Sequence, residues 1–270
     1  MKKNKLKQIW AEGRPVLHGW LSIGNPFTAE IMAAQGYDAI SIDIQHGALD
    51  YSAVLAMFQA MRASDVVTMA RVPWLDPTAI MKVLDAGAYG IICPMVNSRA
   101  HAEQFVKYMR YPPLGERSFG PTRAVYAAGD NYAAEANDEI LAFAMIETAE
   151  AMRNLDEIAS TPGLDGIYIG PADLSFSLSK GQLTPAFDRE EPEVIEAIKK
   201  VLAACRKNGI KAALHCGTAE YAARAVEWGF DMTTVSGDSR LLASAASASV
   251  RRWRELTEGI AKSTEATGAY

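Results

Sequence analysis

Apolar positions in this chain fall into eight short runs, at residues 16–24, 39–44, 67–72, 90–95, 142–147, 166–171, 211–216 and 231–236. Runs of that length, nearly continuous in hydrophobicity, predict strands buried on both faces of a parallel sheet. Between them, residues 29–35, 51–61, 78–86, 100–109, 148–159, 193–207, 219–228 and 239–256 place apolar side chains three and four residues apart. That spacing predicts amphipathic helices. Five helices end at a glycine, Gly36, Gly87, Gly163, Gly209 and Gly229, and a strand begins one or two residues later. Glycine there takes the left-handed conformation that closes a helix. Asp50, Asp76 (with Pro77 next), Ser98, Thr218 and Asp238 stand where helix N-caps are expected.

Eight strands alternating with eight helices predict a (β/α)8 TIM barrel filling residues 1–270 as one domain. An open doubly wound sheet would carry a glycine-rich dinucleotide fingerprint after its first strand. Ser22-Ile23-Gly24-Asn25-Pro26 has no such spacing. Residues 111–137 break the rhythm. This stretch is long for a helix-to-strand connection and leaves from the end of the barrel away from the strand C-termini. Its Pro, Gly, Phe and Arg content predicts an ordered excursion packed against a second subunit. The tail from about residue 262 is small and polar, and is expected to be loose.

Composition narrows the function. At 270 residues and 49% hydrophobic, the chain can bury a large core, and a net charge of −5 offers no basic face for nucleic acid. Cys93, Cys205 and Cys216 are scattered, with neither metal-ligand spacing nor a disulfide framework, which fits a reducing cytoplasm. The basic start lacks an apolar signal core, and no run reaches membrane-spanning length.

Catalytic groups of such barrels gather where strands meet the following helices. Read so, Asp43 and His46 follow the second strand, Arg71 ends the third, Glu147 ends the fifth and Asp173 follows the sixth. Two acids on successive strand ends repel unless a cation lies between them, and an arginine buried at a strand end needs an anion. The combination predicts a pocket for a small anion held by a metal ion.

The segments 37–46, 69–77, 84–97, 110–117 and 146–174 resemble class II pyruvate aldolases of the 4-hydroxy-2-oxoheptanedioate aldolase type, the HpcH/HpaI family. Ile146-Glu147-Thr148 together with Ile169-Gly170-Pro171-Ala172-Asp173-Leu174 carry the likeness most specifically, and Tyr111-Pro112-Pro113 adds to it. The resemblance implies a barrel of the phosphoenolpyruvate/pyruvate domain type, assembled as a homo-oligomer such as a hexameric trimer of dimers. It implies a lyase that reversibly cleaves a 4-hydroxy-2-oxo acid to pyruvate, or a related 2-keto acid, and an aldehyde. Glu147 and Asp173 would ligate Mg²⁺ or Mn²⁺, with Co²⁺ also suited, so that the metal stabilises an enolate. Arg71 would hold the developing oxyanion, His46 would act as general base, and Asp43 would orient its imidazole. Asp85 resembles a residue supplied across a subunit interface. The turn Gly170-Pro171-Ala172-Asp173 would bind the keto acid carboxylate at a helix N-terminus. Leu214, near the end of the seventh strand, resembles a hydrophobic wall for the aldehyde.

The chain also departs from the family. Gln45 replaces a common Glu, Met145 replaces a common Gln, and residues 118–123 differ, so a long dicarboxylic substrate is not carried over. Among rivals, a Schiff-base aldolase lacks a strand-end lysine, with only Lys180 in a nearby loop. A zinc hydrolase lacks ligands, since only His46 and His215 fall near the rim. A lyase of malyl- or citramalyl-CoA thioesters shares the barrel and the enolate chemistry and stands as the alternative. A catalytically silent barrel would have no need of the acid, base and metal residues.

Overall fold

The computed structural model describes residues 1–258. The tail expected to be loose lies outside them. Eight parallel strands close into a barrel in sequence order, with β8 back against β1. The chain begins with α1 (Lys5–Ala11), β1 (Val16–Leu21), α2 (Pro26–Ala33), β2 (Ala39–Asp43) and α3 (Tyr51–Ala60). It continues through β3 (Val67–Arg71), α4 (Pro77–Asp85), β4 (Gly90–Cys93) and α5 (Arg99–Met109). Two short helices, α6 (Ala124–Ala128) and α7 (Tyr132–Glu139), precede β5 (Leu141–Ile146), and α8 (Ala149–Arg153) and α9 (Leu155–Ala159) follow it. Then come β6 (Gly166–Ile169), α10 (Pro171–Leu178), α11 (Pro192–Asn208), β7 (Lys211–Cys216), α12 (Ala219–Trp228), β8 (Met232–Val235) and α13 (Asp238–Thr257).

Alternation along the strands creates two cores. Inward residues such as Met69, Ile92, Phe143, Met145, Tyr168 and Met232 fill the barrel, and Leu6 and Ile9 of α1 plug its lower end beside Val16, Val67 and Leu141. Outward residues such as Ile40, Ala70, Ile91, Ala144 and Ile167 meet the helices. Each of the five helix-ending glycines adopts positive φ, from 67° at Gly209 to 109° at Gly87. Asp50, Asp76, Ser98 and Thr218 cap their helices by accepting main-chain N–H groups. Asp238 does not act as an N-cap. It occupies the first turn of α13, and its buried carboxylate accepts N–H groups from Ser22, Ile23 and Ser239. That ties the loop after β1 to the end of β8. The single helix expected over 148–159 breaks at Asn154, whose side chain donates to the Asn97 carbonyl at 2.7 Å.

The 111–137 excursion is anchored within its own chain. Arg117 is buried, donates to Asp85 Oδ1 at 2.7 Å and to Tyr132 Oη at 2.9 Å, and stacks on the Tyr111 ring. Its outer side exposes Leu114, Phe119 and Tyr126. On α13, Leu242, Val250, Trp253 and Leu256 recur at helical spacing and are all more than half exposed. No helix among the described residues is long and apolar enough to cross a membrane.

At Gly209 a Cβ would meet no atom within 4 Å, so substitution there tests backbone conformation alone. Gly209→Ala should cost about 1–2 kcal/mol and lower Tm by about 2–4 °C. Differential scanning calorimetry checks this, and an unchanged Tm would contradict the helix-closing role.

Candidate active site

The same alternation decides which strand-end side chains reach the mouth of the barrel. Trp20, Asp43, Arg71, Met145 and His215 point inward and line a cavity of about 310 Å³. His46, Gly170, Ala172, Asp173, Phe187 and Arg240 close it from the loops and helix starts above. A larger hollow of about 410 Å³ at the opposite end is lined by Lys2, Lys5, Arg62 and Arg123 and contains no histidine.

Asp43 and Arg71 are register partners on β2 and β3. Their side chains meet in a two-pronged ion pair, Arg71 Nε to Oδ1 at 2.9 Å and Nη2 to Oδ2 at 2.7 Å. Burial works to raise the Asp43 carboxyl, yet the guanidinium prevails and holds it below the usual range. The same carboxylate accepts N–H groups from Gln45 and His46, both at 3.2 Å, and from the Trp20 indole at 3.3 Å. Breaking so enclosed a pair by removing one partner costs about 3–5 kcal/mol. Among the described residues Arg71 Nη1 meets only the Met145 sulfur, at 4.0 Å, and so keeps a donor edge for a ligand.

Glu147 lies one residue beyond β5 and is 2% exposed. Burial pushes its carboxyl up to about 7. The Met95 N–H and the Arg71 charge pull it down, while the Asp173 charge adds to the rise. Met95 donates to Oε1 at 2.8 Å from a left-handed backbone, φ 56°, a conformation unusual outside glycine. Oε2 accepts no hydrogen bond from any described residue. A Cβ at Gly170 would come within 2.8 Å of Oε2 and 2.5 Å of the Met145 methyl, so glycine keeps that space open. Asp173, exposed in the first turn of α10, supplies a second carboxylate. No group of three or more His, Cys, Asp or Glu side chains suited to a metal occurs among the described residues. Two hard oxygen donors, one with an open lone-pair face, fit a divalent ion that keeps most of its shell for water and substrate.

Beneath the cavity the barrel interior holds a hydrogen-bonded row. Ser41 Oγ meets His18 Nε2 at 2.8 Å, and His18 Nδ1 meets Thr234 Oγ1 at 2.7 Å. Thr234 Oγ1 meets Tyr168 Oη at 2.5 Å, and Tyr168 Oη meets His215 Nδ1 at 2.9 Å. Burial pushes both imidazoles down to about 3, so each is neutral; the other imidazole adds to this for His18, and Arg71 does so for His215.

Of the residues expected from sequence, Asp43, His46, Arg71, Gly170, Ala172 and Asp173 line one cavity, with Glu147 packed against Gly170. Two expectations change, those for Asp43 and Leu214. Asp43 holds His46 through its main-chain N–H; its carboxylate makes no hydrogen bond to the imidazole, being turned to Arg71 and Trp20. Asp85, expected to act across a subunit interface, ends α4, is paired with Arg117 and does not line the cavity of its own chain. Leu214 points outward into the helix-facing core and is fully buried, so it is no wall of the cavity. Its neighbour His215 takes that position, because one step along a strand reverses the face. Trp20, Phe187 and Arg240, the last stacked over Phe187, were not singled out from sequence. Parity counted back from Asp43's strand neighbours could have found Trp20, but Phe187 and Arg240 carried no signal.

Because folding raises the Glu147 pKa above its ordinary value of 4.5, the folded chain binds the extra proton between about pH 4.5 and 7. Stability without metal therefore falls as pH rises through that window. In chelator, Glu147→Gln should be more stable than wild type at pH 8 by on the order of 2–3 kcal/mol, and the gap should close near pH 4. Thermal melts across pH check this; a gap independent of pH would contradict it.

Comparison with known proteins follows the same lines. The profile of the HpcH/HpaI aldolase/citrate lyase family matches residues 17–245. A hydroxypyruvate/pyruvate aldolase of Rhizorhabdus wittichii is 42% identical over 243 residues, covering 90% of this chain and 96% of that protein. A 4-hydroxy-2-oxo-heptane-1,7-dioate aldolase of Escherichia coli is 33% identical, covering 93% of this chain and 95% of its own. The crystal structure of an HpcH/HpaI aldolase/citrate lyase family protein from Burkholderia cenocepacia superposes with a TM-score of 0.85 at 30% identity, over 93% of this chain and all of the other. With the strand-end acids, the arginine and the α10 turn gathered at one mouth, this chain belongs to the HpcH/HpaI aldolase/citrate lyase family.

Proposed function

We propose that this chain is a carbon–carbon lyase that reversibly cleaves a 4-hydroxy-2-oxo acid to pyruvate, or a related 2-keto acid, and an aldehyde. The observation that carries this reading is the convergence of Arg71's open guanidinium edge, His46, and the Glu147–Asp173 pair over the start of α10. The family is divalent-metal dependent in general. Here Glu147 and Asp173 would hold Mg²⁺ or Mn²⁺, with Co²⁺ also suited, and the bound ion would supply Lewis-acid polarisation of the keto group.

The protein's own groups divide the rest of the work. Main-chain N–H groups of Ala172 and Asp173, unsatisfied in the first turn of α10, bind the substrate carboxylate. His46, exposed at the rim, accepts the proton of the 4-hydroxyl. The C3–C4 bond then breaks, C4 leaves as the aldehyde carbonyl, and the electron pair moves into the 2-keto oxygen. Arg71 Nη1 donates to that oxygen as its negative charge grows. Protonation at C3 completes the 2-keto acid. Because Asp43 fixes the guanidinium beforehand, little reorganisation accompanies the charge development. A cavity of about 310 Å³ suits small acids and aldehydes better than a long dicarboxylate. The CoA-thioester alternative has less support, since among the described residues Arg240 is the one Lys or Arg lining the cavity besides Arg71.

The exposed apolar residues of the 111–137 excursion and of α13 support a homo-oligomer, in which Asp85 and Arg117 would lie near a subunit interface. A hexameric trimer of dimers is the assembly we propose. Three buried, unpaired cysteines suit a reducing cytoplasm, where we place the enzyme.

Chelated wild type should release no pyruvate from 4-hydroxy-2-oxo acids, and Mg²⁺ or Mn²⁺ should restore release. His46→Ala should lose about 10²–10⁴-fold in kcat while keeping the thermal shift that Mn²⁺ produces. Full turnover in excess chelator would remove the metal from the reaction, and wild-type turnover in H46A would remove His46. Light scattering should give an oligomer, and a monomeric mass would refute the interface assignment.

A further inference from the structure

We propose that His215 presents a fixed Nε2–H donor to the cavity and thereby selects aldehydes that carry an oxygen on the carbon next to the reacting carbonyl. The proposal rests on the aldolase reading above and names the substrate class of its aldehyde half.

The row Ser41–His18–Thr234–Tyr168–His215 contains five hydrogens and four hydrogen bonds: one hydroxyl hydrogen each on Ser41, Thr234 and Tyr168, and one on each neutral imidazole. Four arrangements make all four bonds, and they differ in whether the hydrogen left over belongs to Ser41, Thr234, Tyr168 or His215. Thr234 and Tyr168 are fully buried, with no side-chain partner among the described residues outside the row, so a hydrogen left over on either would be a buried donor without an acceptor. If the row pointed inward, His215 Nδ1–H would donate to Tyr168, and the bonds would run on until His18 Nε2–H donated to Ser41. The Ser41 hydroxyl hydrogen would then need an acceptor of its own. Ser41 is fully buried, and His18 Nε2 is its sole side-chain hydrogen-bond partner among the described residues. A buried donor with no acceptor is the costly outcome. Pointed outward, every hydroxyl hydrogen is used, and the one hydrogen left over is that of His215. Ser41 donates to His18 Nε2, His18 Nδ1–H to Thr234, Thr234 to Tyr168, and Tyr168 to His215 Nδ1. The proton of His215 is thereby placed on Nε2.

Nε2 makes no hydrogen bond to any described residue, and His215 lines the cavity with 8% exposure. Around it the wall is aromatic: the Trp20 ring lies edge-on at 4.8 Å and Phe187 at 4.4 Å. His215 is therefore an uncharged polar group set between two aromatic rings, with the Arg71 guanidinium over Trp20 and that of Arg240 over Phe187, and its polarity is set from below by Tyr168. An alkyl aldehyde closing over it would leave the N–H without a partner. A hydroxyaldehyde of the same size would supply an oxygen. Sites built in this way discriminate strongly against the isostere that lacks the oxygen.

Glycolaldehyde and propionaldehyde are near-isosteres and make the test. With pyruvate as donor in the metal-loaded enzyme, kcat/KM for glycolaldehyde should exceed that for propionaldehyde by at least about tenfold. His215→Leu should bring that ratio to within about threefold of one. Tyr168→Phe leaves His215 in place but releases Nδ1, and should lower the ratio by at least about threefold; it decides the matter if H215L does not fold. A wild-type ratio near one, or a Tyr168→Phe ratio equal to wild type, overturns the proposal. Exchange of the pyruvate methyl protons with deuterated water in wild type, measured without aldehyde, separates the two readings. Absent exchange sinks the aldolase reading itself, whereas exchange with an unaltered aldehyde ratio sinks only the role of His215.

Discussion

At the mouth of this barrel a carboxylate is buried with no Lys or Arg paired to it among the described residues, and the surrounding structure is arranged about that fact. Glu147 has the main-chain N–H of Met95 on one oxygen and open space, kept by Gly170, beside the other. A second acid, Asp173, stands near enough that its charge makes ionisation harder. An isolated buried anion is expensive, and a chain under selection for stability alone would place an amide or an apolar group here. A doubly charged ion held between the acids, as we propose, would offset that expense, because it would turn each repulsion into an attraction.

The second organising interaction is the Asp43–Arg71 pair, which works differently. It is closed upon itself, charge against charge, with both carboxylate oxygens and two of the three guanidinium nitrogens engaged. What it leaves over is a single edge of Arg71, aimed and already desolvated. A guanidinium so held stabilises charge that appears during reaction without having to move toward it. Its positive charge also adds to burial in keeping His215 neutral, so the rim can combine a strong cation with an uncharged imidazole.

Below the rim, the usual layers of branched apolar side chains give way at one level to His18, Ser41, Thr234 and Tyr168. Such a network is tolerated because each bonding group has a partner with good geometry, and it specifies one arrangement of protons as well as one packing. The polar layer thus links the centre of the barrel to the chemistry at its mouth.

Much of this was legible in the chain. Strand-length apolar runs, helical spacing and the five helix-ending glycines determined an eightfold parallel barrel, because those signals are local and each reports its own segment. The strand-end positions of Arg71, Glu147 and Asp173 were likewise readable, since an acid or arginine closing an apolar run stands out in one dimension. What only the tertiary structure decided depends on pairs distant in sequence. Asp43 turned to Arg71 rather than to the imidazole of His46, Asp85 turned to Arg117, and Leu214 yielded the cavity to His215. A one-residue step reverses the face of a strand, and a charged side chain pairs with whichever partner the closed barrel brings nearest. Neither outcome is encoded locally, so the sequence set which chemistry was present, and the folding of eight strands into a ring set which groups share it.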